Sequence, residues 1–590
     1  MEKLLNRIGR VVEDAFEAAG YERSLGRVSV SNRPDLCEFQ CNGAMAGAKQ
    51  LKMNPMDIAE SVAQKLAGNP FFERVEAVKP GFLNLTLARD TVRSYLVETL
   101  QAHHYGVEGP SSPQTVVVDY GGANVAKPLH VGHLRPAVIG EAIKRIIKYN
   151  GYKAIGDVHL GDWGMPMGLV IAELERRQPE LPYFDPSFTG VYPKDAPFTV
   201  GDLEEMYPTA SARSKEDEAF KERAQTITQE LQAGRRGYRA LWHHIMDVSV
   251  VDMKKNYDRL NTHFELWRGE SDVNDRIPAM LDYMIQHGYA HESEGALVID
   301  IAQEEDKKEY PPCIIRKTNG AAIYATTDLA TIEQRMEEFH PVQMVYVIDK
   351  RQQLQIEIQT FRAARKSKLV LPETKLNFVG NGTLNGADGK PYKTREGTAP
   401  RLGILIDEVE EKTLARIREG NPDMEENEAR ETARKVALAA IRYGDLANQP
   451  SKDYIFDIEK FTAFEGDTGP YLLYTIVRIK SILKKAQESG IDVKAAKLDN
   501  AASDQEKALQ LVLTGFAAAA EDAYRELAPN RICAYLYEVA NTFNGFYHET
   551  KILTEADPVR KESYIALLYI ALGIMETGID LLGIEAPEKM

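Results

Sequence analysis

The chain has 590 residues, 44% hydrophobic and 27% charged, a globular composition spread over more length than one core supports, so several domains are expected. The net charge of −16 argues against a broadly basic nucleic-acid binder and confines any RNA face to a local patch. No apolar run approaches about 18 residues, Met1-Glu2-Lys3-Leu4-Leu5 opens an amphipathic helix rather than a signal peptide, and Cys37, Cys41, Cys313 and Cys533 form no Cys-x-x-Cys pair, so a cytoplasmic chain with reduced thiols and no membrane contact is expected.

Residues 1–112 read as a small α+β module. Leu4, Leu5, Ile8, Val11, Val12 and Phe16 make one helical stripe, Met56 to Leu66 makes a second, and Phe82-Leu83-Asn84-Leu85-Thr86-Leu87 alternates like a half-buried strand. Ser111-Ser112-Pro113 reads as a linker.

Next, Thr115-Val116-Val117-Val118 is β-branched without polar alternation, as a strand covered on both faces should be, and it stops at Asp119-Tyr120-Gly121-Gly122. From Arg135 the apolar rows Val138, Ala142, Ile146 and Ile139, Ile143, Ile147 predict a helix of about four turns, stopped at Asn150-Gly151. The loop between them carries Lys127, His130 and His133 to a helix start, where free amides and the positive dipole end attract phosphate. An isolated His-x-x-His reads as one core and one surface histidine, and a zinc site lacks a third ligand here. Gly132 between the two rings and Lys127 just before them favour an oligophosphate instead.

The run Pro128-Leu129-His130-Val131-Gly132-His133 resembles the HIGH signature of class I aminoacyl-tRNA synthetases, and Ala123 to Gly140 resembles the arginyl-tRNA synthetases in particular. The likeness extends over nearly the whole chain. It implies an α/β fold with a Rossmann-type parallel nucleotide-binding sheet in residues 113–405, an N-terminal α+β tRNA-contacting domain in 1–112, and an all-α helical stem and anticodon-binding domain in 406–590. It also implies that Phe82 and Asn84 stack on and hydrogen-bond a base at the tRNA elbow. Without the resemblance, those two read equally well as strand residues of a small core.

Val158-His159-Leu160-Gly161-Asp162-Trp163-Gly164 follows as a second strand-end loop, with His159 its candidate functional residue and the others readable as turn formers. Residues 176–237 read as an insertion with Pro-rich loops and a charged helix around Lys215 to Leu231, mostly a solvated face. The remaining strands of the sheet are expected at 296–301, 314–316, 322–326, 344–348 and 376–379. Tyr324 and Asp328 stand four apart, so both face the strand-end crevice if a helix begins near Thr326; Glu270 is a second acid and Gln352 a neutral partner. A guanidinium is a rigid fork of donors that keeps its charge, so a site selective for it wants a carboxylate in bidentate reach. By resemblance, Asn124, His159, Glu270, Tyr324, Asp328 and Gln352 hold arginine. Taken alone, the two acids read as helix caps or surface charges.

Asn385 to Gly397 is a glycine-rich basic loop, and Lys390-Pro391-Tyr392-Lys393-Thr394 resembles the second class I signature, Lys-Met-Ser-Lys-Ser, with its middle replaced. In the family, a lysine placed like Lys127 takes part of that loop's work. From about Asp407 long helical patterns run to the end, interrupted at Phe464 to Tyr471; the helix carrying Arg478, Lys480, Lys484 and Lys485 and the run Asn541 to Tyr547 resemble the anticodon-binding region. The implied activity joins arginine to its tRNA at the expense of ATP. Lys127, His130, His133, Lys390 and Lys393 would be catalytic, and His130, Gly132, His133 and Lys393 would touch ATP. Mg2+ would arrive with ATP rather than at a dedicated protein site, and a monomer is expected. Two rivals are a non-tRNA ligase on the same fold and a catalytically silent RNA-binding paralogue.

Overall fold

The computed structural model describes residues 1–318, 320, 322–386, 389–390 and 400–590. The central sheet has four strands, in the order Lys375–Asn381, Gln343–Asp349, Thr115–Tyr120 and Lys153–Asp157, all parallel. Val116 and Val118 point into one core and Val117 into another, which is why the run shows no alternation. The helix Leu134–Tyr149 packs on the first face through Val138, Ala142 and Ile146, and the helix Tyr324–Phe339 packs on the second through Leu329 and Ile332. From Thr115–Tyr120 the chain steps to one neighbour and later returns on the other side, so the strand order reverses between Thr115–Tyr120 and Gln343–Asp349. Ligands of open α/β sheets bind at that switch point, beyond the carboxyl ends of the strands.

Three expectations are corrected. The segments at 296–301 and 314–316 do not extend the parallel sheet: Ala296–Ile299 and Cys313–Arg316 join His291–Ser293 in a separate antiparallel sheet. Its hairpin turns at Glu294 and Gly295, both at positive φ, the geometry that closes a two-residue loop. Residues 322–326 are not a strand, because a helix begins at Tyr324. The Thr326 hydroxyl accepts the Ile323 amide at 3.0 Å and donates to the Ile315 carbonyl at 2.6 Å, a cap that overrides the β-propensity of the run. The charged segment of the insertion is two helices, Val200–Glu216 and Glu218–Gln232, rather than one around Lys215 to Leu231, and each buries one face while the other stays solvated. Leu203, Met206, Ala210, Phe220, Ala224, Ile227 and Leu231 are buried in the same core as one face of the parallel sheet.

The N-terminal residues form a four-stranded antiparallel sheet ordered Val28–Val30, Phe39–Cys41, Phe82–Leu87 and Phe72–Val78. Ile8, Val12 and Phe16 of the first helix and Ile58 and Val62 of Pro55–Leu66 cover Leu83 and Leu85. The C-terminal region is a helical bundle from Leu402–Gly420 to Pro558–Leu581, broken by the two-residue strand Tyr454–Ile455, which pairs with Leu384–Asn385. Pro558–Leu581 is long and apolar enough to cross a membrane, but 67% of its most apolar window is buried in the bundle.

Among the ties between the bundle and the helix Leu134–Tyr149, one is buried at that helix's first turn. Arg135, in the first turn of Leu134–Tyr149, is buried; its Nε donates to Asp445 at 3.0 Å and its Nη1 to the Lys452 carbonyl at 2.7 Å. Tyr454 completes the cluster, donating to the same Asp445 oxygen at 2.8 Å.

Candidate active site

The loop after Thr115–Tyr120 is held by its neighbours. Gly121 has φ 70°, and the Tyr257 hydroxyl donates to its carbonyl. Val125 N–H donates to the Gly161 carbonyl at 3.0 Å and Gly161 N–H to the Ala123 carbonyl at 3.1 Å, so the two strand-end loops continue the parallel pairing past the sheet. A Cβ on Gly161 would lie 2.5 Å from the Asn124 side-chain oxygen, so the glycine makes room for that exposed side chain. Ala126, at φ 65°, donates its N–H to the Ser249 hydroxyl at 3.1 Å.

The two histidines form a reciprocal cap. His130 Nδ1 accepts the Gly132 amide at 3.0 Å, His133 Nδ1 accepts the His130 amide at 3.1 Å, and the ring centroids are 4.0 Å apart. A neutral imidazole whose Nδ1 accepts carries its proton on Nε2, so each ring offers one neutral donor. Burial, with Lys127 adding, holds His130 below its ordinary value; burial, His130 and Lys127 push His133 down to about 3. A side chain on Gly132 would come within 2.9 Å of the His130 ring, which folds back over it. The far end of the basic loop is sewn to this cap: Val131 N–H donates to the Pro400 carbonyl at 3.1 Å, and Leu402 N–H to the Leu129 carbonyl at 2.9 Å.

Acids gather on the other side of the sheet edge. Arg335 is buried; one Nη donates to Asp119 at 2.6 Å and Asp157 at 2.7 Å, at the ends of two neighbouring strands, while the other donates to the Tyr346 hydroxyl at 3.0 Å. Burial disfavours the Asp157 carboxylate, but Arg335 and His159 outweigh it and hold its pKa down. Two turns earlier on the Arg335 helix lies Asp328, whose Oδ2 is buried without a hydrogen-bond partner. Burial, Asp119 and Glu270 push Asp328 up to about 8, while burial and Asp162 push Glu270 up to about 7. Tyr324, exposed at the helix start, is raised by burial of its hydroxyl and by Glu270 and Tyr207. The segment Glu270–Arg276 packs on the helix Tyr324–Phe339, which brings Glu270, Tyr324 and Asp328 within electrostatic reach of one another, an acidic pocket whose two carboxyls have no ion pair among the described residues, a place for a substrate that brings its own cation.

Sequence relationships match this geometry. The family described as tRNA synthetases class I (R), catalytic domain, matches residues 94–458, flanked by an arginyl tRNA synthetase N terminal domain over 2–87 and a DALR anticodon binding domain over 472–590. The chain is 55% identical to an arginine–tRNA ligase of Agathobacter rectalis and 50% identical to one of Alkaliphilus oremlandii, covering 100% of both chains in each comparison. The chain belongs to the arginyl-tRNA synthetases. Its fold is that of the Plasmodium falciparum enzyme of this family, TM-score 0.80 at 22% identity, and of the Thermus thermophilus enzyme, 0.77 at 24%, each covering 100% of both chains.

Against the arginyl-tRNA synthetase pattern, the structure brings Asn124, Lys127, Gly132 and both histidines to one loop, and Glu270, Tyr324 and Asp328 to one pocket. His159 joins the pocket wall at φ 29°, its Nε2 3.5 Å from the Thr331 hydroxyl. Asp162 and Trp163 are buried loop residues: Asp162 accepts Ser271 N–H at 3.0 Å and the Ser271 hydroxyl at 2.5 Å, which fixes the segment carrying Glu270. Gln352 lies exposed past the end of Gln343–Asp349, whereas Gln355, absent from the sequence reading, hydrogen-bonds Asp328. Lys390 sits in a turn closed by its carbonyl and the Gly386 amide, 3.0 Å, while Lys393 lies outside the described residues. Far away, Phe82 is half-buried, and Asn84 is 7% exposed with its side-chain oxygen accepting from Gln40 at 3.0 Å. On the bundle, Arg478 lies 4.7 Å from the Tyr474 ring and 5.0 Å from the Tyr547 ring, an aromatic and cationic surface that composition alone does not reveal.

Proposed function

We propose that this chain is an arginine–tRNA ligase: the arginine carboxylate attacks the α-phosphorus of ATP in line, pyrophosphate leaves, and a ribose hydroxyl of the terminal tRNA adenosine then attacks the adenylate carbonyl. The observation that carries the substrate is the pocket of Glu270, Asp328 and Tyr324 at the switch point, one strand from the histidine cap. Binding a guanidinium there gives both acids a partner; a neutral side chain leaves buried carboxyls unpaired, which supports discrimination without an editing step. Asn124 and His159 complete the arginine site.

The reaction needs no covalent intermediate on the protein, so catalysis is orientation and charge stabilisation. His130 and His133, neutral at physiological pH, donate Nε2–H to phosphate oxygens and add no charge. Positive charge comes instead from Lys127, Lys390 and Lys393 and from the magnesium that travels with ATP. Phe82 with the Gln40–Asn84 pair, and Tyr474 with Arg478 and Tyr547, are the proposed tRNA contacts at the two ends of a cytoplasmic monomer. The test is ATP–pyrophosphate exchange with each of the twenty amino acids, with and without total tRNA. Exchange with arginine alone, strongest with tRNA, is expected; exchange with another amino acid, or none, overturns the assignment.

A further inference from the structure

The inserted helix Val200–Glu216 has a face that no step above uses. Its opposite face is buried through Leu203, Met206 and Ala210, and its start is fixed by a reciprocal cap in which Thr199 N–H donates to Asp202 at 2.7 Å. The next turn leans over the active site. Glu204, 13% exposed, is ion-paired with Arg401 at 2.7 Å, and Lys127 Nζ lies 4.2 Å from the centre of the Tyr207 ring. Arg401 pairs along the backbone with His130, so one turn of the insertion touches both segments that border the histidine cap.

We propose that Tyr207 is a positioning residue for Lys127, its ring face holding the ammonium on the phosphate side of the histidine loop before nucleotide arrives. This rests on the assignment of Lys127 to the phosphates of ATP. A lysine side chain on a loop has many rotamers, and a contact that fixes one of them raises the fraction ready to meet the phosphates. The chemistry of the partner matters. A carboxylate in this place would hold the ammonium more strongly but would repel the polyanion that must bind beside it. An aromatic face attracts the cation through its quadrupole and adds no negative charge. The grip is weak enough for Lys127 to exchange ring for phosphate as charge builds on the leaving pyrophosphate.

The experiment uses the full chain in arginine-dependent pyrophosphate exchange with total tRNA, comparing Tyr207→Leu, Tyr207→Phe, Lys127→Ala and the double change Lys127→Ala with Tyr207→Leu. Tyr207→Leu should lower kcat about two- to fivefold, the worth of one exposed cation–π contact, with the arginine KM unchanged. Tyr207→Phe, which keeps the ring, should restore most of that turnover, and Tyr207→Leu should cost nothing further once Lys127 is alanine. If leucine loosens the helix, seen as a lowered Tm, Tyr207→Met takes its place in the same comparison. An equal loss from Tyr207→Leu with and without Lys127, or no loss where Lys127→Ala is severely impaired, overturns the proposal and leaves the lysine assignment standing. A Lys127→Ala enzyme with normal turnover overturns the lysine assignment itself.

Discussion

Arginine binding should be coupled to proton release. In the empty pocket, burial and Asp162 hold Glu270 at about 7, and burial, Asp119 and Glu270 hold Asp328 at about 8, so at neutral pH the site retains protons that a guanidinium must displace. Both values lie above those of ordinary carboxyls, so the binding-competent ionised forms gain population as pH rises, and the arginine KM should fall from acid toward about pH 8. Going from about pH 8 to about pH 6, the requirement to ionise Glu270 alone raises KM roughly tenfold, and Asp328 alone roughly fiftyfold. His133, held at about 3, stays neutral across this window, and His130 is shifted away from it in the same direction. The stability of the arginine-free chain moves oppositely: a carboxyl with a raised folded pKa stabilises the fold fully below its unfolded value and loses that contribution as pH rises through the folded one. The Tm gain on adding arginine should therefore grow over the same interval. Arginine KM measured across this range at fixed ionic strength tests the coupling, together with calorimetric proton release in two buffers of different ionisation enthalpy. A KM that is flat, or that falls on acidification, refutes the reasoning; Glu270→Gln should remove one proton from the slope.

Asp328→Asn should weaken arginine activation by about 2 to 5 kcal/mol while the ATP KM hardly changes, and an unaltered arginine KM and turnover would remove Asp328 from the site. Lys127→Ala should lower turnover far more than it raises the arginine KM, and combining it with Lys393→Ala should depart from additivity by more than about 0.5 kcal/mol in a steady-state double-mutant cycle. Aminoacylation should weaken steeply with added salt despite the −16 net charge, because tRNA meets local basic patches; a rate independent of salt would contradict this. Arg335→Met leaves Asp119 and Asp157 side by side without their shared cation, and denaturant unfolding should register a loss of about 3 to 5 kcal/mol.

The parts of this molecule legible in the sequence are those whose cause is local. An uninterrupted β-branched run announces a strand buried on both faces, and four-residue spacing suffices to put Tyr324 and Asp328 on one side of a helix. The failures have local causes too. Thr326 caps a helix where β-propensity favoured a strand, and the Glu294-Gly295 turn closes a hairpin that the apolar runs around it do not distinguish from sheet strands. Gln355 carries no signal in the sequence, since it reaches Asp328 only where the π-helical segment Leu354–Thr360 meets the helix Tyr324–Phe339. The Asp119–Arg335–Asp157 cluster and the meeting of Tyr207 with Lys127 were beyond reach, since each joins residues tens to hundreds of positions apart through the topology of the sheet and its insertion.

The Arg135 tie sets a limit on how this enzyme can be divided. A fragment ending before Asp445 would keep the sheet, the histidines and the residues proposed to hold arginine, yet leave the Arg135 guanidinium, two residues beyond His133, with neither Asp445 nor the Lys452 carbonyl to receive it. Stranding such a charge costs a large share of what holds a domain folded. A minimal version would have to replace Arg135 as well as shorten the chain. The same tie gives the helices a handle on the first turn after the histidine cap, so on the proposed assignment of that cap to ATP, a tRNA that shifts the bundle at one end would pull on the nucleotide site at the other.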